Sequence, residues 1–369
     1  MILRPLSSRE RISWLQLART PRVGALTFSR LLSRFGSADA ALEALARVSK
    51  GSLRPAPREL ALKELEALEQ LGARLLAWME PDYPALLRHL SPPPPCIAVR
   101  GNLALLTRPC IAMVGAREAS AAGLRLAEEL ARGLGEAGVT VISGLARGVD
   151  GAAHKASLAT GSVGVLAGGL AHPYPPQHLA LHGQLVDQGL VVSEAPVGAI
   201  ARARDFPRRN HIISGLSLGV VVVEAALKSG SLITARAAAE QGREVMAAPG
   251  SPLDPRARGV NALIKDGAAL IETAHDILQH IRAAPRPAWQ WADPAILQPS
   301  DEVEDRAPDP ALLGRLARLL SPTPMHLNDL ARAADAAISE VSAALMELEL
   351  EGRAASLPGG YAASSLAAF

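Results

Sequence analysis

Short, uninterrupted apolar runs separated by helix-length intervals constrain this chain more than any other feature. They are Ile111–Val114, Val139–Ile142, Val163–Leu166, Leu190–Val192, Val220–Val223 and Val245–Ala247. A strand that alternates apolar and polar residues can face water on one side, whereas a strand that is apolar throughout must be covered on both. The intervals between the runs suit crossover helices. Leu124, Ala127, Leu130, Ala131 and Leu134 line one helix face behind Ser120, which is placed as an N-cap. Asp150 is placed to cap the next helix, and Gly161 lies where it must stop. Buried strands alternating with covering helices make the central part an α/β domain with a mostly parallel sheet.

In such sheets ligands bind beyond the carboxyl ends of the strands. The unusual residues of this chain fall there: Gly115-Ala116-Arg117 after the first run, Ser143-Gly144-Leu-Ala-Arg147-Gly148 after the second, and Lys228-Ser229-Gly230-Ser231, followed by Thr234, after the fifth. A further segment, Phe206-Pro-Arg208-Arg209-Asn210, precedes the fifth run. Loops of this kind offer backbone N–H groups, hydroxyls and a helix N-terminus, the physical requirements for holding phosphate. Gly115, Gly144, Gly148 and Gly230 are read as places of close backbone approach to phosphates. Arg117, Arg147, Arg208, Arg209 and Lys228 supply attraction, and Phe206 a ring for stacking on a base. The formal net charge is only +2, from 38 basic and 36 acidic residues. Positive potential for a polyanion must therefore be concentrated at this edge. One or two of these cations are expected to pair with surface carboxylates such as Glu118, Asp205 or Glu240.

The flanks differ in period. From Glu10 to about Trp78 the pattern is helical, and Pro21–Gly36 reads as a tight Gly turn followed by an amphipathic helix carrying Arg30 and Arg34. This resembles a small helical domain of the SAM or helix-hairpin-helix kind. Such a turn can hold DNA phosphates or simply pack; packing is preferred, since a helical pattern alone carries no function. Residues 284–308 have the Pro-rich, acidic composition of a linker. Helical patterns over Pro310–Leu320, Leu327–Ala333 and Ile338–Glu351, then a Gly-bearing stretch, describe a winged-helix-like domain. Its third helix carries Glu340, Glu347, Glu349 and Glu351, with no Lys or Arg before Arg353. Phosphate would repel it. A protein-interaction or vestigial role is expected, with Leu345, Leu348 and Leu350 as contact surface unless the small core consumes them. The expected division is 1–80, 81–283, 284–308 and 309–369.

Several chemistries are missing. Val114-Gly-Ala-Arg-Glu-Ala-Ser120 is not a dinucleotide fingerprint, and no G-x-x-x-x-G-K-[ST] loop is present. Gly215-Leu-Ser-Leu-Gly219 matches a nucleophile elbow as a string, but a helical segment precedes Ser217 and a strand follows, the reverse of the elbow's order. His178 and His182 stand at i, i+4 without an acidic partner in the H-E-x-x-H manner, so neither metal nor other cofactor is expected. Asp150 and His154 read as a cap and a local hydrogen-bond partner, and Glu224 as a strand-end carboxylate with a structural partner. Cys96 and Cys110 lack metal spacing and read as small apolar residues in a reducing compartment. No run approaches the ~18 apolar residues of a membrane span. A cytoplasmic protein is expected.

Taken together, Val114-Gly-Ala-Arg117, Ser143-Gly-Leu-Ala-Arg-Gly-Val-Asp-Gly-Ala-Ala-His154, Tyr174-Pro175, Ser193-Glu194, Phe206-Pro-Arg-Arg-Asn210, Glu224-Ala225, Lys228-Ser-Gly-Ser-Leu-Ile-Thr-Ala235 and Pro249-Gly250 resemble, in order, the DNA-processing protein A (DprA, or Smf) family. The likeness runs from about Asp82 to Leu278. It implies an extended Rossmann-like domain that binds single-stranded DNA without catalysis, homodimerisation, and delivery of incoming strands to the RecA recombinase in natural transformation. The family pattern usually has Ser where this chain has Ala116, and Arg where it has His211. Two other readings stay open: a nucleotide or phosphoribosyl hydrolase of the lysine-decarboxylase-like class, whose helix after the late loop would need a carboxylate where Ala235 and Arg236 stand, and a structural adaptor acting through its terminal domains.

Overall fold

The computed structural model describes residues 3–49, 53–283, 309–321, 323–357 and 360–363. The N-terminal helices are α1 (Ser8–Ala18), α2 (Ala25–Phe35) and α3 (Ala38–Val48). A reciprocal capping box starts α1: Ser7 Oγ accepts the Glu10 N–H at 3.3 Å, and the Glu10 carboxylate accepts the Ser7 N–H at 2.9 Å. Gly36, at φ 74, closes α2 in the left-handed conformation that favours glycine. Helix α4 (Arg58–Gln70), β1 (Arg74–Ala77), α5 (Ala85–Arg88) and β2 (Cys96–Gly101) lead into a regular alternation. It runs β3 (Cys110–Gly115), α6 (Ala121–Glu136), β4 (Thr140–Ser143), α7 (Val149–Ser157), β5 (Ser162–Leu166), α8 (Leu179–Gln188), β6 (Leu190–Ser193), α9 (Asp205–Gly215), β7 (Gly219–Val223), α10 (Gly230–Glu240), β8 (Glu244–Ala247), α11 (Arg258–Lys265), β9 (Ala269–Leu270) and α12 (Ala274–Ala283). Last come α13 (Pro310–Leu319), α14 (Leu327–Ala334), α15 (Ile338–Leu350) and the hairpin β10 (Ala354–Leu357) with β11 (Gly360–Ala363).

All of the apolar runs are strands of one nine-stranded sheet ordered β1-β2-β6-β5-β4-β3-β7-β8-β9. From β3 to β9 the pairings are parallel, while β2 runs antiparallel to both β1 and β6. The strand β1 corrects the helical reading of the segment ending near Trp78. Its short run Arg74-Leu-Leu-Ala77 finds ladder partners in Cys96–Val99, and such pairing across a proline-rich stretch leaves no local signal. The continuous hydrophobicity is explained by what covers the sheet. Ala112, Val114, Ile142, Val220 and Val222 pack into one core cluster, and Ile111, Met113, Val141, Val221 and Val223 into another. Both faces are buried, so successive residues are apolar. Cys96 and Cys110 are free and buried, as read, and burial pushes the Cys110 thiol up to about 12.

The chain visits β3, β4, β5 and β6 in one direction, then returns through α9 to place β7 on the other side of β3. The order therefore reverses between β3 and β7, and the loops beyond them diverge from a common crevice. The described residues form two compact units, one within Leu6–Ala61 and Leu297–Phe369, the other within Ile2–Pro5 and Leu62–Ile296. In the first, Trp14 meets the Phe28 ring edge-on at 4.9 Å. Helices α13, α14 and α15 with the hairpin make the winged helix, closed around Leu316, Leu330, Val341, Leu345 and Leu348. Leu345 and Leu348 are thus consumed by the core and offer no contact surface; the Leu350 side chain lies outside the described residues.

Asp150 does not cap α7. Gly148, at φ 77, holds that position, and the Asp150 carboxylate reaches back to the N–H groups of Gly144 and Ala146 at 3.1 and 3.3 Å. One turn later on the same helix, His154 is fully buried with Nδ1 2.8 Å from Ser162 Oγ. Burial, then the charges of His178 and Arg209, lower its pKa from an ordinary 6.5 to about 3. Between those values the unfolded chain binds a proton here and the folded chain does not. The stability held by neutral His154 is complete above the unfolded value and is lost as pH falls toward 3. We predict that His154→Gln loses less stability than the wild type between about pH 7 and about pH 4.5, by on the order of 2–3 kcal/mol in urea denaturation. Parallel losses in the two proteins would assign the acid sensitivity to another group.

Candidate nucleic-acid interface

The register brings the candidate loops together. Gly115 pairs with Val223, and Ala112 with Ile142, so the chain leaves β3, β4 and β7 at neighbouring points of one edge. Ser143 Oγ donates to the Met113 carbonyl at 2.6 Å, and the Val149 N–H donates to Ala116 O at 3.2 Å. A Cβ at Gly148 would strike the backbone carbonyls of Ala116 and Arg117. The loop after β4 is therefore packed against the loop after β3. A Cβ at Gly115 would likewise strike the Val223 carbonyl. These glycines bring protein backbone close to protein backbone. Gly230 differs: a Cβ there would meet nothing within 4 Å, and it stands exposed at the start of α10.

Arg209 crosses beneath the β4 loop. It is 7% exposed, and its Nη1 donates to the carbonyls of Gly144 and Val165, the latter at 3.1 Å. Gly144 has no room for a side chain because the guanidinium occupies that space. Asp150 grips the same loop by its N–H groups, so the Ser143–Gly148 turn is held at both its donors and its acceptors. Leu145 sits within it at φ 58, a conformation rarely adopted by branched residues, with its side chain buried. Burial raises the Asp150 pKa while the charge of Arg209 opposes that rise; burial lowers the Arg209 pKa while Asp150 opposes that fall. The two charges support one another in a desolvated setting.

Arg117 lies above. It is exposed, and its guanidinium carbon stands 5.4 Å from the Phe206 ring centroid, with that of Arg209 at 5.7 Å. Arg117 in turn lowers the pKa of Arg209, which places two like charges on one ring. Tyr174 meets Phe206 edge-on at 6.0 Å and is 52% exposed. Tyr174 belongs to the Tyr174-Pro175 motif, but an exposed aromatic beside basic loops is visible only once β5 and α9 are adjacent. Arg208 forms a bidentate pair with Glu194, its Nε donating at 2.7 Å. Arg208 and Arg209 are thus the engaged cations, with Glu194 and two carbonyls as their hydrogen-bonding partners and the charge of Asp150 nearby. None of the surface carboxylates suggested by the sequence is among them.

Around α10, Ser229 Oγ accepts the Ser231 N–H at 3.4 Å and lies 2.7 Å from Ser231 Oγ. Asn210 Nδ2 donates to Gly230 O at 3.3 Å and so ties α9 to this turn. Asn210, Ser231 and Thr234 are buried, while Lys228 is exposed. The N-terminus of α6 is already satisfied: Ser120 Oγ accepts the Gly123 N–H at 2.9 Å, and the Glu224 carboxylate accepts both the Ser120 N–H, at 2.8 Å, and its hydroxyl. Glu224 is held at φ 53, and a Cβ at Gly123 would sit 2.5 Å from its carboxyl carbon. It has the structural partner expected of it. Ser217 Oγ donates to Ile213 O at 2.9 Å inside the core, far from a nucleophile's exposure. His178 Nδ1 donates to Leu145 O at 2.8 Å, and His182 is buried. Among the described residues no cluster of three or more His, Cys, Asp or Glu side chains could hold a metal. His211 is bonded to Gln241 at 2.8 Å, and burial lowers its pKa, so it adds no positive charge near neutrality.

Three family profiles match the chain: DNA recombination-mediator protein A over residues 74–282, a DprA-like N-terminal HHH domain over 8–67, and a DprA winged helix domain over 300–360. The chain is 40% identical over 308 residues to Protein Smf of Escherichia coli (strain K12), covering 83% of this chain and 81% of that protein. It is 36% identical over 275 residues to DNA processing protein DprA of Bacillus subtilis (strain 168), covering 70% and 93%. Among solved structures, DNA processing protein A from Streptococcus pneumoniae is similar with a TM-score of 0.63 at 30% identity, over 74% of this chain and 98% of that one. A Helicobacter pylori DNA processing protein A structure concerned with its single-stranded DNA binding mode has a TM-score of 0.53 at 25% identity, over 57% and 95%.

The grip on the β4 loop generates a prediction. Arg209→Met leaves Asp150 buried without its countercharge and removes the donor to Gly144 and Val165. It should cost about 3–5 kcal/mol in urea denaturation. Adding Asp150→Asn should cost less than the sum of the single changes, because the pair is coupled. Strict additivity would show that the two charges act independently.

Proposed function

The chain belongs to the DNA recombination-mediator protein A (DprA/Smf) family, and we propose that its sheet edge beyond β3, β4 and β7 binds single-stranded DNA by its phosphates. The observation that carries this reading is electrostatic. Arg117 and Arg209 repel one another across Phe206, and Arg117, Arg147 and Lys228 are exposed and, among the described residues, in no ion pair. Convergent cations without a countercharge favour an anion, and several spread along one edge favour a polymeric one.

The site divides into contacts and supports. Arg117, Arg147, Lys228, Ser229 and Gly230 are the contacts, with Phe206 and Tyr174 as the adjoining aromatic surface. Gly115, Ser143, Gly144, Gly148, Arg208, Arg209, Asn210, Ser231 and Thr234 hold those groups in place. No base-reading helix is required, so recognition is sequence-tolerant. In this reading the protein acts in the cytoplasm as a homodimer, protects incoming strands and delivers them to the RecA recombinase in natural transformation, with no metal or cofactor and no catalytic step. No helix among the described residues is long and apolar enough to cross a membrane. The competing hydrolase reading needs a carboxylate early in α10, where this chain has Ala235 and Arg236, and Glu224 is engaged by Ser120. The division into residues 1–80, 81–283, 284–308 and 309–369 belongs to the same reading.

Fluorescence anisotropy with labelled oligonucleotides in chelator tests it. A single strand should bind more tightly than a blunt duplex, with affinity falling steeply as salt rises. Arg117→Ala and Lys228→Ala should each weaken binding to all sequences and reduce the salt slope by about one unit. Folded variants with wild-type affinity and slope would place the DNA elsewhere, and turnover of nucleoside monophosphates would favour the hydrolase.

A further inference from the structure

The acidic third helix of the winged helix has an occupation of its own. Arg30 of α2 donates through Nη2 to Ser342 Oγ at 2.8 Å, and its Nη1 lies 3.9 Å from the Glu349 carboxylate. One turn along α2, Arg34 donates to Glu347 at 3.3 Å. The Arg30 and Glu349 side chains are only 18% and 15% exposed. Arg22, in the turn before α2, stands beside Gly352, where a Cβ would come within 3.1 Å of its guanidinium. More than 300 residues separate these partners in the chain, yet they belong to one compact unit.

Within its own domain α15 is built against its dipole. Glu347 and Glu349 lie in its last turns with no basic residue there, where the helix end already carries partial negative charge. Arg22, Arg30 and Arg34 supply the missing positive charge from the N-terminal helices. Guanidinium groups pair with carboxylates and phosphates in the same geometry, so arginines that hold a row of carboxylates present the chemistry that would hold a polyanion.

We propose that Arg22, Arg30 and Arg34 form a second nucleic-acid phosphate site, and that α15 covers Arg30 and Arg34 by taking the place of the phosphates, while Arg22 stays exposed at its edge. The winged helix is then not a DNA reader; its third helix is the internal competitor of DNA for α2. Exposure of the site requires α15 to leave. Neutralising its carboxylates lowers the barrier to that departure and leaves the arginines intact.

The experiment uses the full chain carrying Arg117→Ala and Lys228→Ala, so that the central site is weakened, and a labelled blunt DNA duplex as the probe. Adding Glu347→Gln and Glu349→Gln should tighten duplex binding about tenfold at low salt and steepen the salt slope by about two units, one for each freed arginine that pairs with a phosphate. Further addition of Arg30→Gln and Arg34→Gln should abolish the gain. An unchanged duplex affinity after the Glu→Gln changes would overturn the proposal, as would a gain that survives loss of the arginines. Hydrogen exchange of the wild type gives a second measurement that needs no variant. Raising salt from about 0.05 to about 0.5 M shortens the screening length, so α2 and α15 should lose protection together. Protection that stays constant in both helices would overturn the proposal equally. Neither measurement depends on where single strands bind, so failure here is distinguishable from failure of the central site.

Discussion

A buried guanidinium organises the sheet edge where the basic loops of this protein meet. Arg209 reaches from α9 under the loop after β4, takes the carbonyls of Gly144 and Val165, and stands close enough to Asp150 for each charge to oppose the other's desolvation. A buried ion of this kind is tolerable only when its donors and its countercharge are both provided. Asp150 is in turn the acceptor for the N–H groups of the same loop. The turn that carries Arg147 is held by one charge that is itself shielded from solvent and that lies against the ring of Phe206.

This arrangement separates two tasks that look identical in a string of letters. Arginines that can touch phosphate without first displacing a resident partner are exposed and lack carboxylate partners, and Arg117 and Arg147 meet that condition. Arginines that hold loops are engaged by carbonyls or carboxylates, as Arg208 is by Glu194 and Arg209 is through Nη1. The glycines divide in the same way. Gly115, Gly144 and Gly148 make room for a neighbouring chain segment or side chain, while Gly230 opens to solvent. Glu224 completes the frame by engaging the Ser120 cap at the N-terminus of α6.

The terminal helices show the same economy of charge. Arg30 and Arg34 on α2 and Glu347 and Glu349 on α15 are unremarkable within their own segments, and each helix alone would present a surface charge of one sign. Brought together they neutralise one another in a half-shielded contact. That explains an acidic helix in a fold whose third helix commonly meets DNA.

The strands and their burial were legible in the sequence, because a strand covered on both faces has no alternative but to be apolar throughout, and the glycines, hydroxyls and cations read from it do gather where those strands end. The cap at Ser120 was legible because its partner Gly123 is local, whereas the partner of Glu224, Ser120, lies 104 residues away and appears only in the fold. The cap assigned to Asp150 was not, since a carboxylate two residues into a helix can serve the helix or the preceding turn, and only the placement of Arg209 decides between them. Nor could β1 be read, because its ladder partner lies across a proline-rich stretch, or Tyr174, whose neighbour Phe206 comes from a distant helix. Residue types determined that this chain builds a buried parallel sheet with a cationic edge. Which cations face solvent and which are used up inside was decided by tertiary structure, because a charge is free or satisfied only with respect to groups that the fold brings to it from elsewhere in the chain.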